Sequence, residues 1–243
     1  MLYKNFGLVK GISFDSWRCV GSLLQAIRVY EIREVDELVF LDITATLEDR
    51  RPDFELVDDF ADECFMPLTV GGGIRTINDV QRLLEVGADK ISINSQAVYN
   101  PDLIESIAKR FGSQCVVVSI DVKINANGGY GVYTHSGTKP ADIDPVYMAK
   151  RSEDLGAGEI LLTSIDRDGT MSGYDIEIIR QVCSAVHIPV IASGGAGTYE
   201  HMLEALDQGK ASAVAAASIF HFTQHTPIEA KKYLKEKGIP VRL

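Results

Sequence analysis

EVDELVFLDITAT at residues 34–46 is echoed by GAGEILLTSIDRD at residues 156–168, which places Glu37 opposite Glu159. Each stretch is a short apolar run ending in a polar, acidic turn, the form of a buried parallel strand that feeds a loop. The echo continues along the chain. LTVGGGI (68–74) corresponds to IASGGAG (191–197), and ADKISINSQAV (88–98) to ASAVAAASIF (211–220), at a spacing of 122 or 123 residues.

Strand-like runs at 38–41, 68–70, 90–94, 115–121, 159–164, 189–193 and 212–218 alternate with helical patterns at 77–86, 101–111, 144–155, 175–186 and 199–208. Such alternation points to a parallel sheet covered by helices. A half-chain period with four strands per half predicts an α/β fold of the (β/α)8 TIM type, built from two half-barrel repeats. No composition shift or linker separates the halves, so residues 1–243 are read as a single domain. Ahead of FGLVKGISF (6–14) only residues 1–3 remain to supply a first strand, which is therefore expected to be stunted or missing. Three extended residues reach only ~10 Å. Neighbouring strands would then expose ladder groups or be bridged by FGLVKGISF.

Composition narrows the function classes. The chain has 243 residues, 46% hydrophobic and 24% charged, with a net charge of -10 that argues against a nucleic-acid or acidic-lipid partner. No apolar run approaches the ~18–20 residues of a membrane span, and MLYKNFGLVKG lacks a signal-peptide core, so a cytoplasmic location is expected. The four cysteines are far apart and the five histidines lack ligand spacing; no metal, disulfide or cofactor is indicated. Cys115 opens an apolar run and is read as a small core residue.

Barrels of this kind do their chemistry where strands end. Gly72 and Gly73 follow one strand, and Gly194 and Gly195 follow its repeat mate. Ser95 and Ser218 end the next strands in each half. One glycine turn and one hydroxyl per half suit two phosphates across the barrel mouth, although glycines also serve simply as tight turns. Asp168, Gly169 and Thr170 close the sixth strand, with Asp168 suited to position a substrate and Thr170 to donate to phosphate. Alternation turns Asp121 inward beside Ser119 and Val117, where a carboxylate needs partners or acid/base work. At the opposite end, Glu37, Lys90 and Glu159 meet on inward positions of even-numbered strands. A solvated ring of ion pairs explains that cluster as economically as a functional gate.

The stretches DELVFLDITAT, TVGGGIRTINDV, GADKISIN, FGSQCVVVSIDVK, GAGEILLTSIDRDGTMSGYD and YLKEKGIPVRL resemble the cyclase subunit of imidazole glycerol phosphate synthase over nearly the whole chain after Gly7. The resemblance implies a lyase of histidine biosynthesis that forms a heterodimer with a glutaminase subunit docked at the N-terminal face. Ammonia would pass through the barrel to the bisphosphorylated ribulosyl substrate PRFAR, giving imidazole glycerol phosphate and the ribotide AICAR. It assigns acid/base work to Asp121. Phosphate contacts fall to Gly72, Gly73, Ser95, Gly169, Thr170, Gly194, Gly195 and Ser218. Lys10 and Asn94 match further active-site positions, and Glu37, Lys90 and Glu159 match an ammonia gate. Leu2 falls where the family carries a second aspartate, and the gate's arginine has no counterpart.

VGSLLQAIRV (20–29), EVDEL (34–38), IDVK (120–123), YTHSGTK (133–139) and ASAVAA (211–216) also resemble paralogues associated with bacterial surface-polysaccharide genes. For that branch the implied use of ammonia is acetamidino-sugar synthesis. A non-catalytic partner that shelters a glutaminase is the alternative from another class.

Overall fold

The computed structural model describes residues 1–5 and 7–243. Strand β1 (Leu2–Lys4) is followed by a hairpin of β2 (Gly7–Ile12) and β3 (Asp15–Gly21) and by helix α1 (Leu23–Ile32). Alternation then sets in with β4 (Leu38–Asp42), α2 (Phe54–Ala61), β5 (Leu68–Gly71), α3 (Ile77–Glu85), β6 (Lys90–Ile93), α4 (Ser95–Tyr99) and α5 (Asp102–Phe111). Strand β7 (Val116–Ile124) runs on into β8 (Tyr130–Thr134) and β9 (Lys139–Pro140), before α6 (Pro145–Asp154). The last part comprises β10 (Glu159–Ser164), α7 (Ile176–Cys183), β11 (Val190–Ser193), α8 (Tyr199–Asp207), β12 (Ala213–Ala215), α9 (Ser218–Phe222) and α10 (Pro227–Glu236).

The strands pair in the order β12-β11-β10-β7-β6-β5-β4-β1-β2-β3. Every pairing from β12 to β1 is parallel, whereas β1 with β2 and β2 with β3 are antiparallel. The sheet curls strongly, so that Leu2 on β1 and Ala213 on β12 line one common cavity although they lie far apart in the strand order. Among the described residues no ladder joins β12 to β1. β1 covers only Leu41 and Asp42 of β4. FGLVKGISF does not bridge that seam: its residues 7–12 pair with β1 and β3 instead, and Phe6 lies outside the described residues.

The sheet faces follow from alternation. Val116, Val118, Ile120 and Val122 of β7 join Ile104, Ile107 and Met148 in the outer apolar core, while Ser119 and Asp121 turn to the cavity. Thr76 and Asp79 form a capping box that starts α3, and Thr198 caps α8. These two N-caps are 122 residues apart, as are the bounds of β5 and β11.

Several sequence expectations need correction. Asn94 lies just past β6, because the chain turns there into α4. The run 212–218 contributes only the three residues of β12, and Ser218 already begins α9. Cys115 belongs to a short 3-10 turn, half-buried, with its thiol directed at the Phe111 carbonyl. The two antiparallel hairpins were not legible as strands.

Candidate functional site

A cavity of about 960 Å³ occupies the inside of the curled sheet. Its lining includes Lys10, Gly72, Gly73, Asn94, Ser95, Asp121, Asp168, Gly169, Gly194, Gly195 and Ser218 at the strand C-terminal ends, and Glu37 and Glu159 at the other end. Residues read from separate motifs therefore share one chamber.

Asp121 is buried on β7, opposite Tyr133 of β8 in the ladder. Its carboxylate receives Asn94 Nδ2 at 3.3 Å and Ser119 Oγ at 3.4 Å. Asn94 is itself fixed by carbonyls, donating to Ser119 O and Tyr133 O, both at 3.2 Å. Burial pushes the Asp121 carboxyl up to about 7; the nearby Asp168 charge adds to the shift and the Ser119 hydroxyl opposes it. Asp168 is ion-paired, receiving Lys10 Nζ at 2.6 Å, with both side chains buried. The cavity thus holds two acids in contrasting environments, one partnered by a cation and one poised to hold a proton near neutrality.

The hairpin of β2 and β3 is pinned over this end. Ser13 N donates to Asp168 O at 2.7 Å. Gly169 has φ +76, and a Cβ there would fall 2.1 Å from Gly11 O, so only glycine permits the loop after β10 to come this close. Arg18 lies 4.4 Å from the ring centre of Phe222 on α9.

The two glycine turns are related by the repeat. Gly73 and Gly195 both have positive φ, and a Cβ on either would strike the preceding loop, at Arg50 O (2.7 Å) or Gly173 O (2.1 Å). Loop packing alone therefore demands glycine, and the anion argument moves to the hydroxyls. Ser218 is buried, and its Oγ has no hydrogen-bond partner among the described residues. Such an atom in a cavity wall is a donor in want of an acceptor. Ser95 is also buried, but its Oγ accepts from His135 N at 3.1 Å.

Thr170 is the exception. It is exposed, outside the cavity lining, and its Oγ1 is engaged with Arg167 O and Ser172 Oγ, each at 2.7 Å. Closing its own loop takes the hydroxyl that sequence reading directed at phosphate.

At the opposite end Lys90 Nζ bridges Glu159 Oε1 at 2.6 Å and Glu37 Oε2 at 2.9 Å. Burial works against the Lys90 charge, yet the two carboxylates prevail and raise its pKa. A second pair stands beside it, Lys231 of α10 with Asp36 at 3.1 Å, both lining the cavity. Sequence reading passed over Lys231, whose only signal was its place ahead of the YLKEKGIPVRL tail. It also passed over Arg75, Thr46 and Ser136, which line the cavity. No group of residues able to hold a metal ion occurs among the described residues, and no helix is long and apolar enough to cross a membrane.

The family model described as "Histidine biosynthesis protein" matches residues 4–226. The imidazole glycerol phosphate synthase subunit HisF of Dehalococcoides mccartyi is 54% identical over 240 residues, covering 99% of this chain and 94% of the relative. The protein of the same name from Chlorobaculum parvum is 54% identical over 236 residues, covering 97% and 94%.

Proposed function

The chain belongs to the histidine biosynthesis protein family, among the cyclase subunits of imidazole glycerol phosphate synthase, and on that premise we propose that it uses ammonia to convert PRFAR to imidazole glycerol phosphate and AICAR. Membership implies a (β/α)8 barrel, and the curled parallel sheet with its three-residue first strand supports that architecture. The observation that carries the reading is the single cavity holding Asp121, the two repeat-related glycine–serine turns and, at its other end, Glu37 and Glu159.

Addition of ammonia to a carbonyl carbon needs protons moved at neutral pH. A buried carboxyl titrating at about 7 on the chamber wall is suited to both giving and taking them. Asn94 holds that carboxyl in place, and the Lys10–Asp168 pair presents a fixed cation and anion beside it. Gly72, Gly73 and Ser95 hold one phosphate; Gly169, Gly194, Gly195 and Ser218 hold the other. Glu37, Lys90 and Glu159 form the ammonia entrance, around which a glutaminase subunit docks.

One observation favours a second reading. Leu2 lines the cavity at the position to which the resemblance assigns a second carboxylate, and leucine neither gives nor takes a proton. An amidino-sugar role with Asp121 as sole central acid/base accommodates this. Incubating the purified chain with ammonium and PRFAR tests the choice. Release of AICAR supports the cyclase; tight PRFAR binding without turnover leaves the amidino-sugar role or a non-catalytic partner that shelters a glutaminase.

A further inference from the structure

Trp17 is the single tryptophan of the chain and lies on β3, in the hairpin that crosses the cavity end. Its ring packs so closely on Gly11 that a Cβ there would meet it at 2.8 Å, and the Lys4 ammonium stands 5.7 Å from its centre. The indole is half-buried and lines the same cavity as Lys10, Asp121 and Asp168. Phe14, the other aromatic of the hairpin, lines the same cavity, but it is pressed on Gly137, where a Cβ would fall 2.8 Å from its ring. The hairpin is held at Lys10–Asp168, at Ser13–Asp168 and at Arg18–Phe222, so Trp17 is presented to the chamber by a fixed support.

We infer that Trp17 is a specificity-determining contact for the flat heteroaromatic ring of the substrate, stacking on it while the phosphates occupy the two turns. Indole offers a large, rigid, polarizable face that a ring buries at small entropic cost. The phosphate turns recognise the ends of the ligand and leave its ring unread; Trp17 reads the ring. This rests on the two-phosphate reading of the cavity.

Because the chain has one tryptophan, its emission reports on this contact directly. The experiment titrates wild type, Trp17→Leu and Trp17→Phe with PRFAR, which carries an aminoimidazole carboxamide, and with ribulose 1,5-bisphosphate, which has two phosphates and no such ring. Calorimetry supplies the affinities and emission the local signal. PRFAR should change the wild-type emission, and Trp17→Leu should weaken PRFAR by roughly tenfold while leaving ribulose 1,5-bisphosphate within about twofold. Trp17→Phe, which keeps a ring, should restore most of the PRFAR affinity and shows that the hairpin is intact. Equal loss for both ligands, or no loss for PRFAR in Trp17→Leu, overturns the inference and leaves the phosphate reading standing. Failure of both ligands to bind wild type overturns the two together.

Discussion

With its carboxyl pushed up to about 7, Asp121 is close to half-protonated at neutral pH. The native state holds this proton more tightly than the unfolded chain, where the group titrates near the ordinary aspartate value of 3.8. Its contribution to stability is therefore full below about pH 4, is lost as pH rises toward 7, and is flat above. Asp121→Asn is neutral throughout. It should match wild type near pH 4, exceed it by about 2–4 kcal/mol at pH 8, and lower turnover about 100-fold or more. Melting curves at the two pH values, paired with the PRFAR assay, check both halves. The two serines make a contrasting pair. Ser218→Ala removes a hydroxyl with no hydrogen-bond partner among the described residues, so stability should hold while phosphate affinity falls several-fold. Ser95→Ala strands the His135 amide and should cost about 1–3 kcal/mol as well. Calorimetry with a bisphosphate and urea titration separate the two effects. The inward turn of Asp121 was legible because a period of two needs no partner to be read. The occupation of Thr170 by its own loop was not, since it depends on Ser172 and Arg167 folding back.

The repeat was legible at the level of elements because strand bounds, caps and glycine turns keep a common spacing between the halves. The β2–β3 hairpin and the β8–β9 excursion were not, because distant loops position them. Gly169 admits Gly11, and Gly137 admits Phe14, contacts that no local pattern encodes. This dependence has a testable consequence. Gly169→Val places a side chain against Gly11 O in a left-handed backbone position, a strain of order 1–3 kcal/mol. The hairpin should lift, parting Lys10 from Asp168 and moving Trp17 toward water. A red shift of the tryptophan emission together with at least a tenfold loss of PRFAR affinity is the expected result. Unchanged emission would mean that the hairpin is held independently of the β10 loop.

Across the whole molecule, one chamber connects an acidic mouth to the residues around Asp121. Lys90 stands between two carboxylates there, so removing it sets like charges against each other at the entrance. Lys90→Ala should leave PRFAR binding intact and lower glutamine-dependent activity with the glutaminase subunit more than ammonium-dependent activity. Equal effects on both nitrogen sources would reduce the cluster to a surface ion-pair network. The charged mouth was legible in the sequence because Glu37 and Glu159 repeat; the Asp36–Lys231 pair beside it was not, since α10 packs there only in three dimensions. The claim on which the account turns is that this chamber closes an imidazole ring with one central carboxyl, Asp121, and Leu2 in place of a second. The most direct measurement is steady-state AICAR release by the purified chain from PRFAR and ammonium, compared with Asp121→Asn. The account predicts turnover that requires both substrates and collapses in the variant; saturable PRFAR binding with no AICAR formed by the wild-type chain would contradict it.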